Sequence, residues 1–108
     1  MTRELSRPAL KILSAMLRDP TGTHYGLALI DATGVKAGSL YPILRRLEEQ
    51  EWIAGEWEDI DESAEGRRRR RHYKLTPNGV AFAAQAVVKA QGELHVPSKL
   101  RRLGQAWS

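Results

Sequence analysis

Within residues 39–50, SLYPILRRLEEQ, four apolar side chains recur at i, i+3, i+4 and i+7: Leu40, Ile43, Leu44 and Leu47. That period lies on one side of an α-helix, so the segment buries one face and leaves the other free. The free side is polar. On a wheel with Leu40 and Leu47 inward, Gly38, Pro42, Arg45 and Glu49 point away, flanked by Ser39, Tyr41 and Arg46. Pro42 narrows the start. With Ser39 as N-cap, Pro42 takes the last position whose N–H has no partner inside the helix. The spacing therefore predicts that this helix begins near Ser39.

Two helices are expected before it. In residues 6–18, Ser6 is placed to cap, Pro8 sits in the first turn, and Ala9, Ile12, Leu13, Met16 and Leu17 make one apolar stripe. Asp19-Pro20 then ends the element. Residues 24–33 read as a second, short helix with Thr23 as cap, Leu27, Ala28 and Ile30 inward, and Gly34 as the C-terminal stop. Downstream, residues 52–58 around Trp52, Ile53 and Trp57 suggest a strand, and Tyr73 and Leu75 alternate with polar neighbours in a second. The connection, DIDESAEGRRRRR, is long for a hairpin and predicts a mobile tip. Thr76-Pro77 opens an alanine-rich helix over 77–91, with Val80, Ala83, Ala84, Val87 and Val88 on one side. A last short helix in SKLRRLGQAW would present Leu100, Leu103 and Trp107.

The fold expected is mainly α with a small antiparallel β-hairpin, in a winged helix-turn-helix arrangement. With 108 residues there is room for one core, residues 1–91, and a tail, 92–108. A chain this short leaves much apolar surface unburied and often recruits oligomerisation. The absence of cysteine excludes disulfides and thiolate metal sites, and the three histidines show no local metal-ligand spacing. Asp59, Asp61 and Glu62 could meet a cation, but the twelve-residue calcium-loop pattern is missing. No nucleophile–base pair, paired-carboxylate motif or glycine-rich phosphate loop appears, which argues against an enzyme, and no cofactor is implied. Without an apolar run of membrane-spanning length or a signal-peptide core, the sequence points to a cytoplasmic protein.

A net charge of +4 leans toward a polyanionic partner, and its distribution says more than its size. Arg45 is placed to offer a bidentate contact to a guanine edge in a major groove, and Ser39 and Tyr41 to hydrogen-bond phosphate or base. The competing reading pairs Arg45 and Arg46 with Glu48 and Glu49 on a solvated helix. The run Arg67–Arg71 repels itself, at a cost that falls beside an anion, so on a hairpin arm it suits a phosphate backbone or minor groove. The competing reading is a solvated loop neutralised by the acidic residues of 56–65.

Residues 24–26, HYG, then 38–48, GSLYPILRRLE, then 71–76, RHYKLT, with Gly79 after Pro77-Asn78, resemble the signature of the PadR family. The resemblance spans residues 5–90 and departs in two places. Tyr25 and Gly26 are exchanged relative to the usual order, and residues 33–37 lack the proline-containing turn often found there. It implies a dimeric repressor of an inverted-repeat operator on double-stranded DNA, often released by a small-molecule effector. By position, Lys36, Ser39, Tyr41, Arg45 and Arg46 would meet the major groove, with His24 and Tyr25 near phosphates at the start of the second helix. Arg68, Arg69, Arg70 and Arg71 would supply the wing. His24 as a capping or surface residue, and Tyr41 as packing between helix and wing, stay open.

For a homodimer, the alanine-rich helix, the first helix and the tail are expected at a two-fold interface, with Leu13, Ala84, Val87, Val88, Leu100, Leu103 and Trp107. Trp107 either seals that interface or lines a pocket for a flat aromatic ligand. Trp52 and Trp57 are read as core or wing-packing residues. The rival functions are a winged-helix protein–protein interaction module without sequence-specific DNA binding, and RNA binding, for which no aromatic platform is evident.

Overall fold

The computed structural model describes residues 5–93. Its elements run α1 (Arg7–Leu17), β1 (His24–Tyr25), α2 (Gly26–Thr33), α3 (Ala37–Glu49), β2 (Ile53–Trp57), α4 (Glu62–Glu65), β3 (Arg71–Leu75) and α5 (Pro77–Glu93). The expected helix, helix, helix, hairpin, helix order is present, with two additions, β1 and α4. The expected tail helix, with Leu100, Leu103 and Trp107, lies outside the described residues.

α1 forms as its sequence dictates. The Ser6 hydroxyl accepts from the Ala9 N–H at 3.3 Å, and Ala9, Ile12, Leu13 and Met16 are buried on one stripe. They pack with Leu40, Leu44 and Leu47 of α3 and with Ile53, Tyr73 and Leu75 of the sheet into one core. Leu13 is fully buried there, at 0% exposure. A side chain with no surface in its own protomer cannot meet a partner, which removes Leu13 from the expected dimer interface.

Residues 24–25 are a strand rather than the first turn of a helix. β1 pairs antiparallel with β3, His24 opposite Tyr73 and Tyr25 opposite His72, giving a three-stranded sheet in the order β1-β3-β2. Tyr25, not Thr23, occupies the N-cap of α2, without a side-chain cap bond. The inward side of α2 also differs from expectation. Leu29 is buried at 2% exposure while Leu27 is 64% exposed and Ala28 is exposed; Ile30 is half-buried. Four consecutive apolar residues on an eight-residue helix carry no phase, so periodicity could not select the buried face. Gly34 ends the helix as expected, with φ 73° and its N–H bonded to the Ile30 carbonyl at 2.8 Å.

α3 begins two residues before Ser39, with Lys36 at the N-cap. The Ser39 and Leu40 N–H groups both reach the Lys36 carbonyl, at 3.0 and 2.8 Å. Pro42 consequently lies inside the helix and leaves the Gly38 carbonyl without its α-helical donor. Gly38 is exposed, with open space where a Cβ would be, so water can satisfy that carbonyl. The far end of α3 closes as a Schellman turn. Trp52 N–H bonds the Leu47 carbonyl at 3.0 Å and Glu51 N–H the Glu48 carbonyl at 2.9 Å, which forces Glu51 to φ 62°.

A second junction sits on top of that turn. The Thr76 hydroxyl accepts from the Gly79 N–H at 2.9 Å, as expected of the cap of α5, and donates to the Glu51 carbonyl at 2.7 Å. Thr76 N–H bonds the Trp52 carbonyl at 3.1 Å. A Cβ on Gly79 would collide with that same carbonyl oxygen, so the close approach of the two chain segments requires glycine. Trp52 stacks on Phe82 of α5, with ring centroids 4.2 Å apart. These contacts fix α3, the sheet and α5 relative to one another.

Candidate nucleic-acid interface

On α3, Ser39, Tyr41, Arg45 and Arg46 are all exposed, as the wheel required, and so is Lys36 at its N-cap. Neither Arg45 nor Arg46 has an ion pair or hydrogen bond among the described residues, so the pairing with Glu48 and Glu49 is not what the helix adopts. Tyr41 is 44% exposed, and its ring lies over the start of α2, where a Cβ on Gly26 would come within 2.5 Å of the phenolic oxygen. Gly26 thus gives Tyr41 its seat, which accounts for a glycine at this position.

β1 keeps His24 and Tyr25 close to the start of α2 but engages both. His24 Nε2 lies 2.9 Å from the Asp19 carbonyl, and Tyr25 packs edge-on against His72, centroids 5.8 Å apart. Both are half-buried.

Between α3 and the sheet runs an open groove of about 910 Å³, lined by Tyr41, Pro42, Arg45, Arg46, Glu48, Glu49, Arg71 and Tyr73. Glu48 and Arg71 bridge its floor at 2.9 Å. The Arg71 guanidinium also lies over the Trp57 and Tyr73 rings, 5.4 and 5.9 Å from their centroids. A Cβ on Gly55 would come within 2.8 Å of Arg71 and 2.9 Å of Glu48, so that glycine in β2 makes room for the pair. Arg71 is half-buried in this arrangement and braces the wing onto α3. Burial, the larger effect, and the Glu48 charge raise the Tyr73 phenol above its ordinary pKa of 10.0.

The wing tip expected to be mobile holds a capped helical turn, α4. The Asp61 carboxylate accepts from the Ser63 and Ala64 N–H groups at 3.0 and 3.4 Å, and Gly66 ends the turn at φ 67°. Asp61 is spent as a cap, and no cluster able to hold a metal occurs among the described residues. Glu58 is the keystone. Its two carboxylate oxygens receive the Arg67 guanidinium at 2.7 and 3.0 Å, and Oε1 also receives the Arg70 N–H at 2.8 Å. The Arg67 side-chain bond first, and the Arg70 backbone bond after it, outweigh the opposing effect of burial and hold the Glu58 carboxyl at about 2, below its usual 4.5. Arg69 leans on Glu62, backbone N–H to Oε2 at 3.1 Å and Nε to Oε1 at 3.8 Å. The sequence allowed for neutralisation of the run by the acidic residues of 56–65 but showed neither the individual pairs nor the Glu48–Arg71 brace, because these join residues 7 to 23 positions apart. Gly55, a glycine inside a strand, was the available signal.

Of the expected dimer residues, Ala84 and Val88 are exposed on α5, Val88 at 67%. Val87 is half-buried in a second open groove of about 460 Å³, where α1 contributes Arg7 and Lys11 and its C-cap Arg18. No described helix is long and apolar enough to cross a membrane.

An exposed helix face with two unpaired arginines, beside a β-wing that carries an arginine run, is the arrangement of a DNA-binding regulator of winged-helix type. The family model of the transcriptional regulator PadR-like family matches residues 17–85, and the chain belongs to that family, whose members are transcriptional regulators rather than enzymes. Among solved structures, a PadR family transcriptional regulator from Eggerthella lenta is 26% identical (TM-score 0.59), over 94% of this chain and 84% of that one. The circadian clock associated protein Pex from Anabaena is likewise 26% identical (TM-score 0.60), over 82% and 77%. BpsR of Bordetella bronchiseptica, whose DNA binding is regulated by 6-hydroxynicotinic acid, shares the fold at 21% identity and TM-score 0.65, over 96% and 76%. No curated protein sequence matches the chain.

Proposed function

We propose that this PadR-family regulator is a cytoplasmic repressor that binds a pseudo-palindromic operator as a homodimer and is released by a small-molecule effector. The observation that carries the reading is the outer face of α3. Ser39, Arg45 and Arg46 stand exposed, and both arginines are unpaired, beside a wing braced in place by Glu48 and Arg71. In this reading α3 enters the major groove, Arg45 takes a guanine edge, and Ser39, Tyr41, Lys36 and Arg46 hold base or phosphate. His24 and Tyr25 stand near phosphates, and the wing lies along the backbone. Two copies joined through Ala84, Val87 and Val88 of α5, with the tail, would set two α3 helices about one DNA turn apart. Regulation of BpsR by 6-hydroxynicotinic acid supports a small effector here, and the α1–α5 groove offers it cationic side chains.

The test is fluorescence-anisotropy binding to the DNA upstream of the protein's own gene and to a scrambled duplex, at two salt concentrations. Tight, selective and salt-sensitive binding is the expected result. Equal, weak binding to both duplexes would favour the protein-interaction module. Light scattering at micromolar concentration reads the dimer, and a monomer there would count against it.

A further inference from the structure

The arginine run is uniform in sequence and divided in structure. Along an extended segment, successive side chains point to opposite sides. Residues 67–70 lead into β3 beside the end of β2, where Glu58 N–H bonds the Arg70 carbonyl at 2.8 Å. The odd-numbered arginines all face acidic partners: Arg67 to Glu58 at 2.7 Å and Arg71 to Glu48 at 2.9 Å, both half-buried, and Arg69, itself exposed, to Glu62 at 3.8 Å. The even-numbered ones do not. Arg68 and Arg70 are exposed, and neither side chain has an ion pair or hydrogen bond among the described residues. Their backbones do the bracing instead, the Arg68 carbonyl accepting from Arg67 at 3.2 Å and the Arg70 N–H donating to Glu58 at 2.8 Å.

We propose that the run works by parity: Arg68 and Arg70 are the wing's phosphate-contacting pair, and Arg67, Arg69 and Arg71 are positioning residues that hold the pair outward. A cation already neutralised by a carboxylate releases few counterions when a phosphate approaches, because the carboxylate must first be displaced. A free one replaces condensed counterions directly. Arg68 and Arg70 are two residues apart, which sets their Cα atoms about 7 Å from each other on extended backbone, so each guanidinium can take its own phosphate oxygen. The acidic stretch before the run is then part of the device. Glu58, Glu62 and Glu48 select which arginines are offered, and they keep the rest from adding unspecific affinity.

This inference rests on the wing meeting duplex DNA, and the experiment separates the two. Arg68→Gln, Arg69→Gln and Arg70→Gln each remove one charge from adjacent positions, so long-range attraction falls equally in all three. Binding to a random-sequence duplex is followed between 50 and 200 mM salt for the full chain and each variant. Thermal unfolding and tryptophan fluorescence confirm an intact fold. Arg68→Gln and Arg70→Gln should each reduce the magnitude of the log–log salt slope by about 0.9 per protomer, about 1.8 for the homodimer, which is about 12-fold less affinity lost across that range. Arg69→Gln should leave the slope within about 0.3 of the parent. An Arg69→Gln effect as large as that of Arg70→Gln, or no slope change in either even-numbered variant, overturns the parity assignment alone. A parent protein with no salt-dependent binding overturns the DNA reading as well.

Discussion

The outer face of α3 and the wing carry the same residue type under opposite rules. On α3, Arg45 and Arg46 are exposed and unpaired, held only by the helix beneath them. On the wing, Arg67, Arg69 and Arg71 are matched to Glu58, Glu62 and Glu48. The difference follows from what lies underneath. α3 rests on Leu40, Leu44 and Leu47, a buried stripe rigid enough to aim a side chain without polar help. Beyond Ile53, Tyr73 and Leu75 the wing contributes no buried residue, so salt bridges and a capped turn supply the order that packing supplies elsewhere. Order bought with arginines leaves fewer of them for DNA.

The harshest way to break this contrast is to loosen the junction that fixes both regions. Gly79→Ala places a methyl group against the Trp52 carbonyl, a backbone group that cannot swing away. Overpacking of that kind costs about 1–3 kcal/mol, and a melting curve should fall by roughly 4–8 °C per kcal/mol. An unchanged melting temperature would mean that the two segments are not locked together. Glu51→Gly acts on the same junction in the opposite sense. Glu51 holds φ 62°, a conformation that costs a non-glycine residue about 1–2 kcal/mol, offset in part by the entropy of glycine. A net gain of up to about 1 kcal/mol is expected in chemical denaturation, and a loss would contradict the Schellman geometry.

Smaller perturbations sharpen the contrast by touching the wing alone. Gly55→Ala pushes on Arg71 and Glu48 without changing any charge. Stability should fall by only about 0.2–1 kcal/mol, yet hydrogen exchange across β2 and β3 should speed up while α3 is unaffected. Equal exchange in both regions would show that the brace is ornamental. The mildest perturbation is pH. With Glu58 at about 2 in the folded chain and 4.5 as its ordinary value, its bracing is complete above about 4.5. The stabilisation is lost as pH falls from there through about 2 and is gone below it. A Glu58 carboxyl resonance with its midpoint near 4.5 would contradict the bidentate bond to Arg67.

α1 and α3 were legible from the sequence because a buried stripe at helical spacing admits one face, and the caps Ser6 and Thr76 work locally. The start of α3 was misplaced because Pro42 is usually confined to a first turn, whereas here exposed Gly38 tolerates the missing donor. β1 is only two residues long and exists because β3, 47 to 49 positions later, pairs with it. The outward residues of α3 were recoverable from the wheel alone. Which wing arginines are free was not, since that depends on carboxylates brought near by folding. Leu13 shows the converse, an apolar residue assigned to an interface that its own core consumes.

The central claim is that α3 reads sequence while the wing supplies anchorage. Its most direct test is Arg45→Ala, with affinity measured on the upstream operator and on random duplex in the same salt. The expected result is a loss of about 1–3 kcal/mol on the operator, relaxed sequence preference, and little change on random DNA. Equal weakening on both duplexes would make Arg45 a phosphate contact and contradict the division of labour between helix and wing.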